Sequence, residues 1–190
     1  MKIGLYFGSF NPVHLGHLIT ANHLLAYSDL DELWFVLSPQ SPFKPKGILL
    51  DYCHRLEMLR LALDGYSELR ACDIEFNLPK PSYTATTLAY LVDAFPQHRF
   101  ALIMGTDNLQ AIHKWKDYET ILKNHVVYAC PRLGSRGGNW ATHPNVRLME
   151  TPIIQISATQ IREMIRAGKN AKPLLPCQVF PFLEQKRFYH

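Results

Sequence analysis

The chain has 190 residues, 47% hydrophobic and 19% charged, a balance that argues against a disordered chain and predicts one globular domain or two small ones. Its net charge of +4 comes with no concentrated basic run, which fits an anionic substrate and gives no sign of a nucleic-acid partner. No run of about 18 apolar residues is present, so no membrane span is expected, and the four cysteines, far apart and without a C-x-x-C pair, read as reduced, mostly buried thiols of a cytoplasmic protein.

The opening MKIGLYFGSF is too short for a secretory signal and reads as a first strand. Ile3–Phe7 is apolar at every position, as are Leu33–Leu37, Phe100–Met104 and Val126–Cys130. Strands of this kind are buried on both faces. Leu15–Tyr27 reads as a helix with Leu18, Ala21 and Leu25 on one stripe. A second helix is expected over Asp51–Leu63, with Asp51 as its cap. Leu69–Phe76 holds Arg70, Asp73 and Glu75 and reads as an edge strand or one half exposed. Thr84–Phe95 predicts a third helix, stopped by Pro96. Gly134–Asn139 reads as a mobile surface connection. Ser157-Ala158-Thr159-Gln160 predicts a capping box, and Gly168 can close the helix that follows. A last helix is expected within Val179–Tyr189, part of a helical tail over about 171–190, with Pro181 limiting its start. Strand alternating with helix predicts an α/β fold, a doubly wound, mainly parallel sheet with helices on both faces.

Two segments carry chemistry. Gly8-Ser9-Phe10-Asn11-Pro12-Val13-His14-Leu15-Gly16-His17 runs from a strand through a glycine turn into a helix, where free N–H groups and the dipole favour phosphate. It is neither G-x-G-x-x-G nor a Walker loop. Its mark is the pair His14 and His17, three apart and able to donate to phosphate oxygens. The second segment is Ile156-Ser157-Ala158-Thr159-Gln160-Ile161-Arg162. There the Thr159 hydroxyl, the Arg162 guanidinium and a helix N-terminus point one way. Two anion sites in one small α/β domain suggest a nucleoside triphosphate held from both sides.

The first segment resembles the (T/H)-x-G-H motif of the nucleotidylyltransferase superfamily, and the second resembles its I-S-S-T-x-I-R motif. Ser82-Tyr83-Thr84-Ala85-Thr86-Thr87-Leu88, Met104-Gly105-Thr106-Asp107-Asn108, Trp115 and Tyr118-Glu119 look like the inner motifs of the bacterial nicotinate-nucleotide adenylyltransferase family. The resemblance runs from Lys2 to about Gly168. Two positions depart from the pattern. Ala158 stands where serine is usual, and Thr86 stands where the family often has Asp, which removes a carboxylate near the nucleotide pocket.

The resemblance implies one nucleotidylyltransferase domain over 1–190 that transfers AMP from ATP to nicotinate mononucleotide, with Mg²⁺ carried on the ATP phosphates. His14, His17 and Arg162 would be catalytic. Gly8, Ser9, Phe10, His17, Gly105, Ser157, Thr159 and Arg162 would bind ATP. Lys44, Thr84, Asp107, Trp115, Lys116 and Arg132 would bind the acceptor: Thr84 and amides near Lys116 at the nicotinate carboxylate, Trp115 stacking on the ring, Asp107 at a ribose hydroxyl, Arg132 at the acceptor phosphate. Lys44 could also reach the phosphates from above. No protein metal cage, nucleic acid or membrane is expected, and a homo-oligomer is left open. Rival readings are transfer to nicotinamide mononucleotide or phosphopantetheine, or a non-catalytic nucleotide sensor. The intact His14, His17 and Arg162 argue against the sensor.

Overall fold

The computed structural model describes residues 1–39 and 49–190. Six strands form one sheet: β1 Lys2–Gly8, β2 Glu32–Leu37, β3 Leu69–Cys72, β4 Arg99–Gly105, β5 Val127–Cys130 and β6 Val146–Leu148. Their order is β3-β2-β1-β4-β5-β6, and every neighbouring pair is parallel. The four apolar runs expected as strands therefore lie side by side. Alternate residues of each strand feed two cores. Tyr6, Phe35, Ile103 and Tyr128 pack on one face, and Leu5, Val36, Leu102 and Ala129 on the other. Both faces are covered, so no position in these strands needs to be polar.

The helices are α1 Leu15–Tyr27, α2 Tyr52–Leu63, α3 Thr84–Ala94, α4 Thr106–Gln110, α5 Tyr118–Asn124, α6 Ala158–Arg166 and α7 Val179–Lys186. Leu24, Leu59, Ile161 and Leu183 place α1, α2, α6 and α7 on the first core. Leu91, Leu109 and Ile121 place α3, α4 and α5 on the second. The doubly wound sheet is thus as expected. Among the described residues no helix is long and apolar enough to cross a membrane.

Several local expectations shift. Asp51 caps α2 by accepting from the Cys53 N–H at 2.8 Å, as expected. Leu69–Phe76 is only half strand, because after Cys72 the chain turns into a short 3₁₀ helix, Ile74–Phe76. β6 was not expected. It has three residues at the other sheet edge, two of them exposed, so it lacks the apolar run that marks a covered strand. The Gly134–Asn139 segment is tied down: the Thr106 hydroxyl donates to the Ser135 carbonyl at 3.1 Å, and Gly137 is buried. At α6 the Gln160 N–H donates to Ser157 Oγ at 3.1 Å, and Gly168 at φ +66° ends the helix with its N–H on the Ile165 carbonyl. Pro181 sits in the first turn of α7, where the N–H it lacks would find no helical acceptor. The cysteines are free, but Cys53 and Cys177 are exposed and Cys72 is half-buried, so only Cys130 meets the buried-thiol expectation in full.

Candidate active site

In a parallel sheet all the strands end on one edge. The order turns back at β1, between β2 and β4, and ligands of doubly wound folds bind at that reversal, outside the carboxyl ends of the strands. β1 ends at Gly8 and β4 at Gly105, so the Gly8–His17 segment and the Met104–Asn108 segment leave the sheet there.

The turn after β1 is built around rings. A Cβ on Gly8 would meet the Phe10 ring at 2.7 Å, so only glycine lets Phe10 fold back at φ +41°. Phe10 is buried and edge-on to His17, with centroids 5.0 Å apart. Its side chain is therefore the floor beneath His17, and any contact it makes with ATP must come from its backbone. His14 is the N-cap of α1, and its ring stacks on His17 at 3.7 Å. A Cβ on Gly16 would come within 3.0 Å of His14 Nδ1, so that glycine makes room for the ring.

The His14 N–H donates to His17 Nδ1 at 3.2 Å. In the uncharged ring this leaves the proton on Nε2, which makes Nε2 the donor. His14 is a different case. Burial, assisted by the Arg132 charge, lowers its pKa to about 4, so it is uncharged at neutral pH.

The I-S-x-T-x-I-R segment reaches the same turn. Arg162 donates from Nη1 to the Asn11 carbonyl at 2.8 Å and from Nη2 to Thr159 Oγ1 at 3.1 Å. Ser157 and Thr159 are exposed and Arg162 is half-buried.

At the end of β4 a Cβ on Gly105 would strike the Asp107 carboxylate and the Arg132 side chain, so both converge over that strand end. Arg132 also bonds the Tyr6 hydroxyl, whose pKa burial pushes up to about 12 against the pull of the guanidinium. Thr106 Oγ1 accepts from the Arg132 N–H at 2.9 Å. Arg132 thus lies beside the histidine pair and Asp107.

Thr84, Trp115 and Lys116 form a separate group. Thr84 opens α3, whose N-cap residue Tyr83 supplies no side-chain cap. Lys116 Nζ lies 5.0 Å from the centre of the Tyr83 ring, which joins the Trp115-Lys116 segment to that helix start. Trp115 is half-buried against the second core. Thr86 points to solvent on the first turn, while Thr87 turns inward. Lys44 lies outside the described residues.

Three supporting residues escaped the sequence reading. Arg55 is buried and donates to the carbonyls of Ser9 at 2.8 Å, Ser38 at 2.9 Å and Leu50 at 2.9 Å, joining the turn after β1 to the end of β2. Its signal was there, since it falls on the helical stripe of Leu59 and Ala62. Glu75 is buried, accepts from Thr87 Oγ1 at 2.9 Å, and is held above the ordinary carboxyl range by that burial. Asn11, almost fully buried, accepts from Leu50, Arg162 and Tyr189, three separate stretches of the chain. Among the described residues no three His, Cys, Asp or Glu side chains group as a metal site.

Two helix-start turns, one carrying a histidine pair and the other an arginine, meet at the reversal point of a doubly wound α/β sheet. The cytidylyltransferase-like family model matches residues 5–164. The protein named "Probable nicotinate-nucleotide adenylyltransferase" of Flavobacterium psychrophilum is 50% identical over 191 aligned positions, covering 100% of this chain and 99% of its own length. The protein of the same name from Flavobacterium johnsoniae is 48% identical with the same coverage. The chain belongs to the nicotinate-nucleotide adenylyltransferase family. The fold agrees: the solved structure "Plasmodium falciparum nicotinic acid mononucleotide adenylyltransferase complexed with NaAD" superposes with a TM-score of 0.82 over 99% of this chain and 97% of that one, at 18% identity.

Proposed function

We propose that the chain transfers AMP from ATP to nicotinate mononucleotide, releasing pyrophosphate and forming nicotinate adenine dinucleotide. The observation that carries this reading is the bond from Arg162 to the Asn11 carbonyl, which ties both phosphate-binding motifs into one cradle. The attacking group is a phosphate whose second pKa is about 6, so it is mostly ionised at pH 7 and needs no general base. What remains is to hold two anions in line and to neutralise charge on the α-phosphate and the leaving pyrophosphate.

His17 Nε2 donates to a phosphate oxygen, and the stacked His14 holds that ring in place while facing the same anion. Gly8, Ser9 and Phe10 offer backbone amides. Thr159 and Arg162, at the start of the helix that Ser157 caps, take the triphosphate from the opposite side. Mg²⁺ enters on the ATP phosphates. The donors around them are imidazole and guanidinium with Asp107 as the nearby carboxylate, a set that suits anions better than a bare cation. Gly105 leaves room for Asp107 to meet a ribose hydroxyl, and Arg132 serves the phosphates beside the histidines.

On the acceptor side, Trp115 stacks on the pyridine ring. Thr84, the first-turn amides of α3 and the segment at Lys116 receive the ring carboxylate. The reaction belongs to the cytoplasm, where ATP is available. The deciding experiment supplies ATP, Mg²⁺ and, in turn, nicotinate mononucleotide, nicotinamide mononucleotide and phosphopantetheine, and follows pyrophosphate. Turnover with the first is expected. Turnover with either of the others alone would reassign the acceptor.

A further inference from the structure

The nucleotide cradle is braced from the far end of the chain. After α7 the backbone turns at Arg187, φ +52°, and folds back. Phe188 then packs on His54 of α2, with ring centroids 4.8 Å apart, and on Phe182 of α7 at 5.9 Å. That packing delivers the Tyr189 hydroxyl to Asn11 Oδ1 at 2.7 Å, across 178 positions of sequence. The same Oδ1 accepts from the Leu50 N–H at 3.3 Å, and the Asn11 carbonyl accepts from Arg162. Asn11 lies between the Gly8 turn and the histidine pair, so whatever fixes it also fixes Arg162 against that turn.

We propose that Tyr189 is a positioning residue for ATP: its hydroxyl clamps Asn11, and through Asn11 it holds Arg162 and the histidine-bearing turn in register. The bond needs the phenol protonated, since the Asn11 oxygen can only accept. Burial keeps the Tyr189 hydroxyl protonated despite Arg55 and Arg162 nearby. A phenylalanine would fill the same space and donate nothing, so the ring's packing and the hydroxyl's bond can be separated.

The inference rests on the adenylyltransferase reading only for its turnover arm. Its primary test is calorimetry of MgATP binding to the full chain, wild type against Tyr189→Phe, each well below its unfolding midpoint. Loss of one well-aligned bond that aims a charged ligand should weaken ATP affinity on the order of tenfold. The KM for the mononucleotide should stay within about twofold, because that side is built on Thr84 and Trp115. In an Arg162→Ala background the same substitution should cost clearly less than in wild type, since the route to ATP through Arg162 is already cut and only that through the histidine-bearing turn remains. A purely structural role would lower stability and leave ATP affinity unchanged; that result, or an affinity loss equally large in both backgrounds, overturns the proposal. Should Tyr189→Phe not fold, Phe188→Leu, which keeps the hydroxyl but loosens the packing that delivers it, is judged by the same affinity criterion. A wild type that binds ATP without adenylyl transfer sinks the functional reading and leaves this one standing on its affinity data. A wild type that binds no ATP ends both.

Discussion

The Arg162 guanidinium donates to the Asn11 carbonyl at 2.8 Å, across 151 positions of sequence. The second arm of its fork reaches Thr159 Oγ1 at 3.1 Å in its own helix. One side chain thus fixes the distance between the start of α6 and the turn that carries the histidines.

Removing that fork should be felt at ATP first. Arg162→Ala is expected to weaken ATP binding by about one to two powers of ten, the worth of a charge-assisted bond to phosphate, and to lower turnover with it. Mononucleotide affinity should change less. Arg162→Lys should rescue only part, because a point charge cannot bond Asn11, Thr159 and a phosphate in one plane. Equal ATP affinity in wild type and both variants, measured by calorimetry, would remove Arg162 from the site.

The histidine pair makes a second, sharper claim. His17→Ala should lower kcat by about 10²- to 10³-fold, comparable with the loss of one transition-state donor. His14→Ala should be similar or milder. Gly16→Ala tests the geometry without touching either imidazole, since its methyl would press on His14 Nδ1 at 3.0 Å. It is expected to lower kcat while the fold survives. Wild-type turnover at saturating substrate in all three variants would make the pair a structural cap of α1 and nothing more.

Much of this was legible because the physics is local. A strand covered on both faces must be apolar throughout, so β1, β2, β4 and β5 announced themselves. The segments around His17 and Arg162 stood out because a glycine turn, a helix start and cationic or donor side chains coincide within a few residues. Tyr189 and Asn11 could not be read this way. Their meeting depends on where α7 packs, and nothing near either residue in the sequence encodes the other. Glu75 misled for the converse reason: a charged residue after a half-polar strand reads as exposed, whereas Thr87, one helix later, gives its carboxylate a buried partner. β6 was missed because an edge strand of three residues has no pattern to detect.

Burial of His14 predicts an acid-sensitive fold. Its pKa falls from 6.5 to about 4 on folding, chiefly through burial and then through the Arg132 charge. The unfolded chain therefore takes up a proton first as the pH drops through 6.5, while the folded chain resists. Stability from this group is fully present above pH 6.5, is lost as the pH falls towards 4, and changes no further below that. The total is about 3 kcal/mol. Urea unfolding of wild type and His14→Gln at several pH values between 7 and 4 isolates it, because the carboxylates contribute equally to both. The gap between the two curves should close or reverse as the pH falls. Parallel curves would mean that His14 takes up its proton freely in the folded state.

The acceptor pocket carries the prediction most open to refutation. Nicotinate and nicotinamide mononucleotides differ by a carboxylate against an amide on the same ring. α3 begins without a side-chain cap at Tyr83, so its first-turn amides and the Thr84 hydroxyl offer donors at one place. The Lys116 ammonium stands over the Tyr83 ring at 5.0 Å and adds positive charge beside them. A carboxylate satisfies such a group of donors with both oxygens. An amide turns its own NH₂ towards some of them and leaves them badly paired, at a cost of about 1–3 kcal/mol for each buried donor. Mismatch of this kind can reach several powers of ten in kcat/KM. A strong preference for the acid is therefore expected. Trp115→Ala should raise the KM for nicotinate mononucleotide while leaving ATP affinity nearly intact, because the indole packs with the second core and the Arg162 cradle is built on the first. Comparing kcat/KM for the two mononucleotides decides the point. A ratio near one, or one that favours the amide, would show that these donors do not read the carboxylate.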